Sequence, residues 1–250
     1  MSDQRSGGLQ TSEITLDVIE ALHELDGAGV SELAAHIDVA PSTVHRHLST
    51  LSENGYVERE QDRYYLGLRF LRLGEYVHTR KGLYDNAKRY TEMLAEETNC
   101  RSVFLVAEHD VGVYIHTAAG KHGLWTKSTI GKRVPLHATA AGKVVLAYDD
   151  SLDVSDIELE EFTPQTITSV EELRAELETI RDQNYALNIE EQIAGVKAVG
   201  APVFDADDTV VGAFSVSGPA NQMHEDWFEE SLPQTILGIA NEFELQMKLS

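Results

Sequence analysis

The chain is short of several things, and each shortage excludes something. It has one cysteine, Cys100, in 250 residues. A single thiol makes no internal disulfide and no multi-cysteine zinc site, and it fits a reducing compartment. No stretch approaches the roughly 20 apolar residues that span a bilayer. No basic segment leads into an apolar run at the start, as a secretory signal would. The expectation is a soluble cytoplasmic protein with no membrane partner. Positive charge is scarce too: 20 Lys and Arg stand against 42 Asp and Glu, a formal net charge of −22. Lysine is the rarer base, eight against twelve arginines. Such self-repulsion keeps a chain soluble and is screened at high ionic strength. The composition therefore points to a highly saline cytoplasm, with an acidic mesophilic protein as the plainer alternative. Internal repeats and low-complexity segments are absent, and 42% hydrophobic residues supply ordinary cores.

The length suits two modest domains or one large one. Residues 1–11 are polar and read as a tail. From Ser12, apolar residues recur at Ile14, Val18, Ile19, Leu22 and Leu25 with helical spacing, and Ser12 is placed to cap them. "DGAGV" breaks the chain, and Ser31 is placed to cap a second helix, "ELAAHI". "DVAP" delivers Pro41 to the first position of a third helix, which Gly55 ends. "YVERE" and "RYYLG" around "QD" read as two short strands. Three helices and a hairpin make a winged helix-turn-helix over 12–67. Residues 68–98 read as mostly helical, with 68–80 a connector and Leu71, Leu83, Ala87, Tyr90 and Leu94 buried. Beyond Cys100, strand-like segments alternate with "ATAAGKVVLAY", the amphipathic "SVEELRAELETIRDQ" opened by a serine cap, and a closing helix from about Asn221. Short turns join most of them, which predicts an α+β domain with an antiparallel sheet over 81–250.

Carboxylates are missing from two places. The first is Val39 to Ser52. If Val44, Leu48 and Leu51 face the core, the third helix turns Ser42, Thr43, His45, Arg46, His47, Ser49 and Thr50 outward. Each donates hydrogen bonds, and phosphate repulsion explains why no acid stands among them. Arg46 can fork onto guanine O6 and N7, and Ser42 and Thr43 lie where helix N–H groups favour a phosphate. In the hairpin, Arg59 and Arg63 either reach DNA or are solvated charges beside Glu58, Glu60 and Asp62. His45 and His47, two apart, fall on different sides of a helix and lack a third ligand, so no metal site is expected. The competing reading is a winged helix that binds protein rather than DNA.

The second gap runs from Val111 to Tyr148 and holds Lys121, Lys127, Lys132, Arg133 and Lys143 with His116, His122 and His137. It is buried sheet with an interface, a locally positive pocket for a small anion, or both. Within it, Ala138, Ala140, Ala141 and Gly142 open a helix. Small residues there either admit a ligand to the backbone N–H groups or permit close packing on a sheet. Ser215 and Ser217, two apart on a strand, point to one face. Buried hydroxyls want partners, and a polar metabolite is a candidate.

"PSTVHRHLSTLSENGYVE", "YYLGLRFLRLG", "VPLHATAAGK" with "VVLA", and "EEQIAGVKAVGAPVFD" before "VVGAFSVSGP" stand in an order and spacing that resemble the IclR family of transcriptional regulators. The resemblance covers nearly the whole chain, from about Ser12 to Leu249. It implies a linker helix over 68–80 and a GAF-like effector-binding domain. It implies homodimers, often paired into tetramers, on near-palindromic double-stranded DNA. It implies a small-molecule effector, anionic or polyhydroxylated, and control of a catabolic operon for a sugar, sugar acid or aromatic acid. Carried over by position, the effector site uses the backbone at Ala140 and Ala141 and the side chains of Asn188, Ser215 and Ser217. Asn188 stands where the family often has an acid, and Ala198 where it often has cysteine. His137 is either a ligand contact or a packing residue. An enzyme using His137, Lys143 and a serine is the alternative; no nucleophile elbow, phosphate loop or metal cluster supports it, and no cofactor is expected.

A saline working environment predicts that the melting temperature of the purified chain rises between low and molar KCl. A flat or falling curve rejects it.

Overall fold

The computed structural model describes residues 8–121 and 130–249. They form two compact units, divided between Arg80 and Lys81.

In the first unit α1 (Gln10–Glu24), α2 (Val30–His36) and α3 (Pro41–Glu53) precede an antiparallel hairpin of β1 (Val57–Glu60) and β2 (Arg63–Leu66), and α4 (Arg69–Thr79) follows. Val18 and Leu22 of α1, Leu33 of α2, and Val44, Leu48 and Leu51 of α3 meet in one core. This is a winged helix-turn-helix. Two expected caps are displaced. The Leu9 carbonyl accepts from the Ser12 and Glu13 N–H groups at 2.7 and 3.1 Å, so Ser12 lies inside α1 rather than at its cap. Ala28 exchanges both backbone hydrogen bonds with Tyr64 of the wing, at 2.8 and 3.0 Å. That pins the chain ahead of Gly29, and α2 starts there, leaving Ser31 within it. The Glu32 carboxylate reaches back to the Gly29 N–H at 3.4 Å, as an acid at the third helical position does. At the far end of α3, Gly55 takes φ +73°. Its N–H donates to Ser52 O and that of Tyr56 to Leu51 O, at 3.0 and 2.9 Å, which closes the helix and turns the chain into the wing.

Leu71 is not buried. α4 has no buried residue among its eleven, and Leu71 is 69% exposed. Only the start of α4 is tied to the wing: Arg69 donates to the Asn54 carbonyl at 2.6 Å and lies over the Tyr56 ring, and Phe70 meets that ring edge-on.

The second unit runs α5 (Gly82–Thr98), β3 (Arg101–Glu108), β4 (Val111–Ala119), β5 (Arg133–Pro135), α6 (Ala140–Tyr148), α7 (Val170–Gln183), β6 (Ala186–Ile189), β7 (Val196–Phe204), β8 (Val210–Pro219) and α8 (Leu232–Leu249). Its sheet has the order β5-β4-β3-β8-β7-β6, antiparallel at every pairing. α5 and α8 cover one face through Tyr90, Leu94 and Phe243 against Phe104 and Phe214. α6 and α7 cover the other through Val144, Leu173 and Leu177 against Val103 and Leu105. This is the expected α+β layering. Within α5 the buried stripe is Tyr84, Ala87, Tyr90, Thr91 and Leu94, so Tyr84 takes the place expected of Leu83, which is half-buried. The closing helix begins regularly only at Leu232. Ahead of it lie a short turn at Ala220–Gln222 and a wider, π-type winding at Trp227–Ser231. Pro233 has no N–H to bond the turn before it, which accounts for the break.

One close approach sets the geometry of the α6 face. A Cβ on Gly200 of β7 would lie 2.7–2.8 Å from the backbone of Ala140 and Ala141. The first turn of α6 therefore rests directly on the strand. Gly200→Ala must push backbone against backbone and is expected to cost about 1–3 kcal/mol. Urea unfolding of the full chain measures it; an unchanged midpoint would mean that α6 is free to shift.

Candidate functional site

On α3 the exposed side chains are Ser42, His45, Arg46, Ser49 and Thr50; Thr43 and His47 are half-buried. The outward face has donors and no carboxylate until Glu53, which accepts from Ser49 Oγ at 3.2 Å. Arg46 is steadied by Thr43 Oγ1 at 3.5 Å, a weak contact that leaves the guanidinium fork available. His47 is drawn inward, with Nδ1 2.8 Å from Thr15 Oγ1 of α1. That makes it a brace between helices rather than a reading residue. The wing arginines also divide. Arg63 donates to the Gly27 carbonyl and pairs with Glu32 at 3.2 Å, so it ties the wing to the turn ahead of α2. Arg59 is more exposed, donates to Gln61 O at 2.8 Å and sits 3.6 Å from Asp62. A pair so exposed is weak, and Arg59 can leave it.

In the second unit the strand register builds a cavity. Asn188 pairs with Ala198, Ala198 with Ser217, and Ser217 with Arg101, one row across β6, β7, β8 and β3. Two residues along, Gly200, Ser215 and Val103 form the next row. Side chains two apart share a face, and this face looks toward α6. An irregularity in the β3–β4 pairing puts Tyr114 opposite Leu105 and skips Ile115. The extra residue re-aims Tyr114 onto the same face. The cavity between these rows and the start of α6 measures about 60 Å³ and is also lined by Thr139, Ala140, Ala141, Gln192, Ile193 and Lys132. A single water needs about 10–15 Å³ on this measure, so the space suits several waters or one small organic molecule.

Thr139 caps α6, its Oγ1 accepting from Gly142 N–H at 3.1 Å, and the first N–H groups of the helix face a site free of carboxylates. Ser215 is buried and Ser217 half-buried, both on the cavity. Asn188 has a structural duty as well. Its Nδ2 donates to Ala138 O at 2.6 Å, and its Oδ1 accepts from Glu191 N–H at 3.3 Å. An aspartate could not make the first bond, which explains an amide here; the second Nδ2 proton remains for a ligand. His137 does not line this cavity. It is buried elsewhere, with Nε2 3.0 Å from Glu160 O and its ring near Phe162, a packing role. Burial raises the Tyr114 phenol above its ordinary range, with Arg101 beside it opposing.

Lys143 turns away from the cavity. It is 1% exposed and sits 2.8 Å from both Glu176 of α7 and Glu191 of the turn after β6. Burial pushes the Glu191 carboxyl up despite the pull of Lys143. One lysine serving two acids explains both facts: if Glu191 takes a proton, Glu176 still holds the ammonium. The turn itself is clamped by Thr163 and Thr166, whose hydroxyls donate to the Glu190 and Glu191 carbonyls at 2.7 and 2.5 Å. Elsewhere in the acid-free segment, Arg133 pairs with Glu108 and His116 meets the Tyr84 carbonyl. His122 and Lys127 lie outside the described residues.

Reading the sequence missed Arg101, Tyr114, Gln192 and Ile193 as cavity residues, and named Lys132 only among the bases of the acid-free segment. Arg101 carried a usable signal, as the first residue of a strand with apolar residues beyond it. The pairing that sets it beside Ser217 has no trace in local sequence.

A winged helix-turn-helix whose third helix is free of carboxylates up to Glu53, and a second unit with a small cavity lined by polar and apolar side chains, define a ligand-responsive DNA-binding regulator. Family comparison agrees. Residues 12–61 match the IclR helix-turn-helix domain, and residues 75–243 match the C-terminal domain of the bacterial transcriptional regulator IclR. The chain belongs to the IclR family of transcriptional regulators. It is 30% identical to the probable HTH-type transcriptional regulator ArcR of Halobacterium salinarum, over 93% of this chain and 92% of that one. It superposes on the crystal structure of Thermotoga maritima IclR with a TM-score of 0.78 and 27% identity, covering 96% and 97% of the two chains. An IclR homologue from Microbacterium hydrocarbonoxydans in complex with 4-hydroxybenzoate shares the fold, with a TM-score of 0.79, 19% identity and coverage of 94% and 100%. No helix among the described residues is long and apolar enough to cross a membrane.

Lys143→Met is expected to destabilise the chain by about 3–5 kcal/mol at pH 7, because it strands a buried carboxylate. The folded-state pKa of Glu191 is raised above the ordinary 4.5, so its contribution to stability is full below that value and lost as pH rises through the shifted one. The deficit of the variant should therefore narrow as urea titrations move from pH 7 toward pH 5. A deficit independent of pH would show that Glu191 is not the group left unpaired.

Proposed function

We propose that the chain controls a catabolic operon by binding a near-palindromic operator as a homodimer, and that a small anionic or polyhydroxylated metabolite in the cavity changes its grip on DNA. The observation that carries this is the reading face of α3: Ser42, Thr43, His45, Arg46, Ser49 and Thr50, with no acid among them, in a chain of net charge −22. Arg59 of the wing adds a backbone contact. Ala140, Ala141, Asn188, Ser215 and Ser217 hold the effector. Residues 12–67 act as the DNA-binding domain, 68–80 as the linker helix and 81–250 as the effector-binding domain.

Leu68 ahead of α4 and Leu71, Tyr76 and Val77 within it are large apolar residues that are 56–72% exposed. Water-exposed apolar patches mark association surfaces, and a second copy of the chain is the occupant that helix-turn-helix half-site spacing requires. Pairing of dimers is a further step. The named relatives are transcriptional regulators, and nothing in the cavity is arranged as a nucleophile with a base, so we propose no catalytic role. A cytoplasmic location and a saline one fit the acidic composition and the likeness to a Halobacterium protein.

Fluorescence anisotropy on the DNA upstream of the chain's own gene, in molar KCl against scrambled DNA, tests the reading. Wild type should prefer the upstream sequence. Arg46→Ala should weaken that preference about ten- to a hundredfold, the worth of a bidentate guanine contact, and leave the fold intact. Affinity should fall only shallowly with added KCl, because few bases neutralise phosphates. A steep salt loss, or a preference untouched by Arg46→Ala, counts against this reading helix.

A further inference from the structure

The buried ion cluster beside the cavity is not explained by stability alone. Lys143 is 1% exposed and Glu191 7% exposed. A buried ion pair stabilises a fold little more than apolar side chains of the same size; what it can add is a fixed geometry. Glu191 Oε1 accepts from the Lys143 ammonium at 2.8 Å and from the Ile189 N–H at 3.3 Å. Its Oε2 is buried with no partner among the described residues. A buried carboxylate is most stable with both oxygens paired. This one is held by a single oxygen, and the cation that holds it stands on the helix whose first turn is a wall of the cavity.

The two partners belong to two walls. Lys143 lies about one turn beyond Ala140 on α6. Glu191 lies in the turn 190–195 between β6 and β7, and the next two residues, Gln192 and Ile193, line the cavity as Ala140 and Ala141 do. The Glu191 N–H donates to Oδ1 of Asn188, another lining residue, at 3.3 Å. Within the turn, Glu190 N–H donates to Val196 O at 3.0 Å and Gly195 N–H to Glu190 Oε2 at 2.7 Å. Those bonds fix its shape. The Thr163 and Thr166 hydroxyls tie it to the segment ahead of α7, and the Lys143–Glu191 pair ties it to α6. We propose that Lys143 is a positioning residue for the effector: paired with Glu191, it sets where the 190–195 turn stands against α6, and so where Asn188, Gln192 and Ile193 meet a ligand. This deepens the effector reading and, in its last step, depends on it.

Amide hydrogen exchange of the full chain, without ligand, tests it. Glu191→Gln keeps the size of the side chain and removes its charge. The amides of Glu190, Gly195 and Val196 should then exchange about tenfold faster, the size expected of a hydrogen bond to a charged group. Those of β3, in the middle of the sheet, should stay within about threefold. Glu176→Gln removes the lysine's other partner and leaves the Glu191 tie, so it should leave the turn within about threefold as well. The pH profile separates positioning from packing. Glu191 faces Lys143 and Glu176, and burial raises its carboxyl above the ordinary range, so the pair is lost as pH falls through the shifted value. Protection of the turn, corrected for the intrinsic exchange rate, should fall between about pH 8 and pH 5 in wild type and stay level in Glu191→Gln. A turn that keeps its protection in Glu191→Gln, or loosens only in step with β3, overturns the proposal. A separate arm adds gluconate, a polyhydroxylated anion, at millimolar concentration. Protection of the turn by gluconate in wild type, and less in Glu191→Gln, supports the link to ligand binding. A turn that loosens as expected while gluconate protects nothing supports the positioning and counts against a polyhydroxylated effector, so the two readings fail separately.

Discussion

The first turn of α6 lies on β7 with no side chain between them, and the ligand-facing half of the second unit depends on that contact. Gly200 leaves the space, and Ala140 and Ala141 fill it with backbone. The helix is thereby held at a fixed depth, with its first turn over Gly200, the neighbour of Ser215 in the sheet. Asn188 and the Lys143 ion pairs tie neighbouring segments to the same turn, one through the Ala138 carbonyl and the other through Glu191. Close packing on a sheet and open N–H groups for a ligand had looked like competing uses of small residues. Here the packing is what presents the N–H groups.

Charge is the second constraint. With a net −22, the placing of the carboxylates is uneven. Among the described residues, carboxylates are absent from the cavity lining and from the outward face of α3 ahead of Glu53. Several basic residues are paired with acids: Arg63 with Glu32, Arg133 with Glu108, Lys143 with two glutamates. Arg46 projects from the outward face of α3, and Arg101 lies over the Tyr114 ring in the cavity wall.

Where the helix face and the cavity differ is in how their residues come together. The reading face is local, six side chains on three turns of one helix. The cavity draws on β3, β4, β6, β7, β8 and α6, from Arg101 to Ser217. A local face needs only periodicity to be recognised. A cavity made of distant segments needs the register of every strand between them.

That difference marks what was legible without coordinates. Periodicity and turn residues were enough for the three helices, the wing, the serine cap at Ser169 and the antiparallel layering, because these depend on neighbours within a few residues. The spacing of Ser215 and Ser217 was enough to set them on one face. Family resemblance carried Ala140, Ala141 and Asn188 to the site. Tertiary structure alone decided the rest. It turned His137 into packing and Arg63 into a tie, exposed Leu71, and moved the start of α2 when Ala28 paired with the wing. It brought Arg101 beside Ser217 and, through one extra residue in β4, aimed Tyr114 into the cavity. Those outcomes depend on long-range strand pairing and on what covers each face, and no local pattern of residues encodes either.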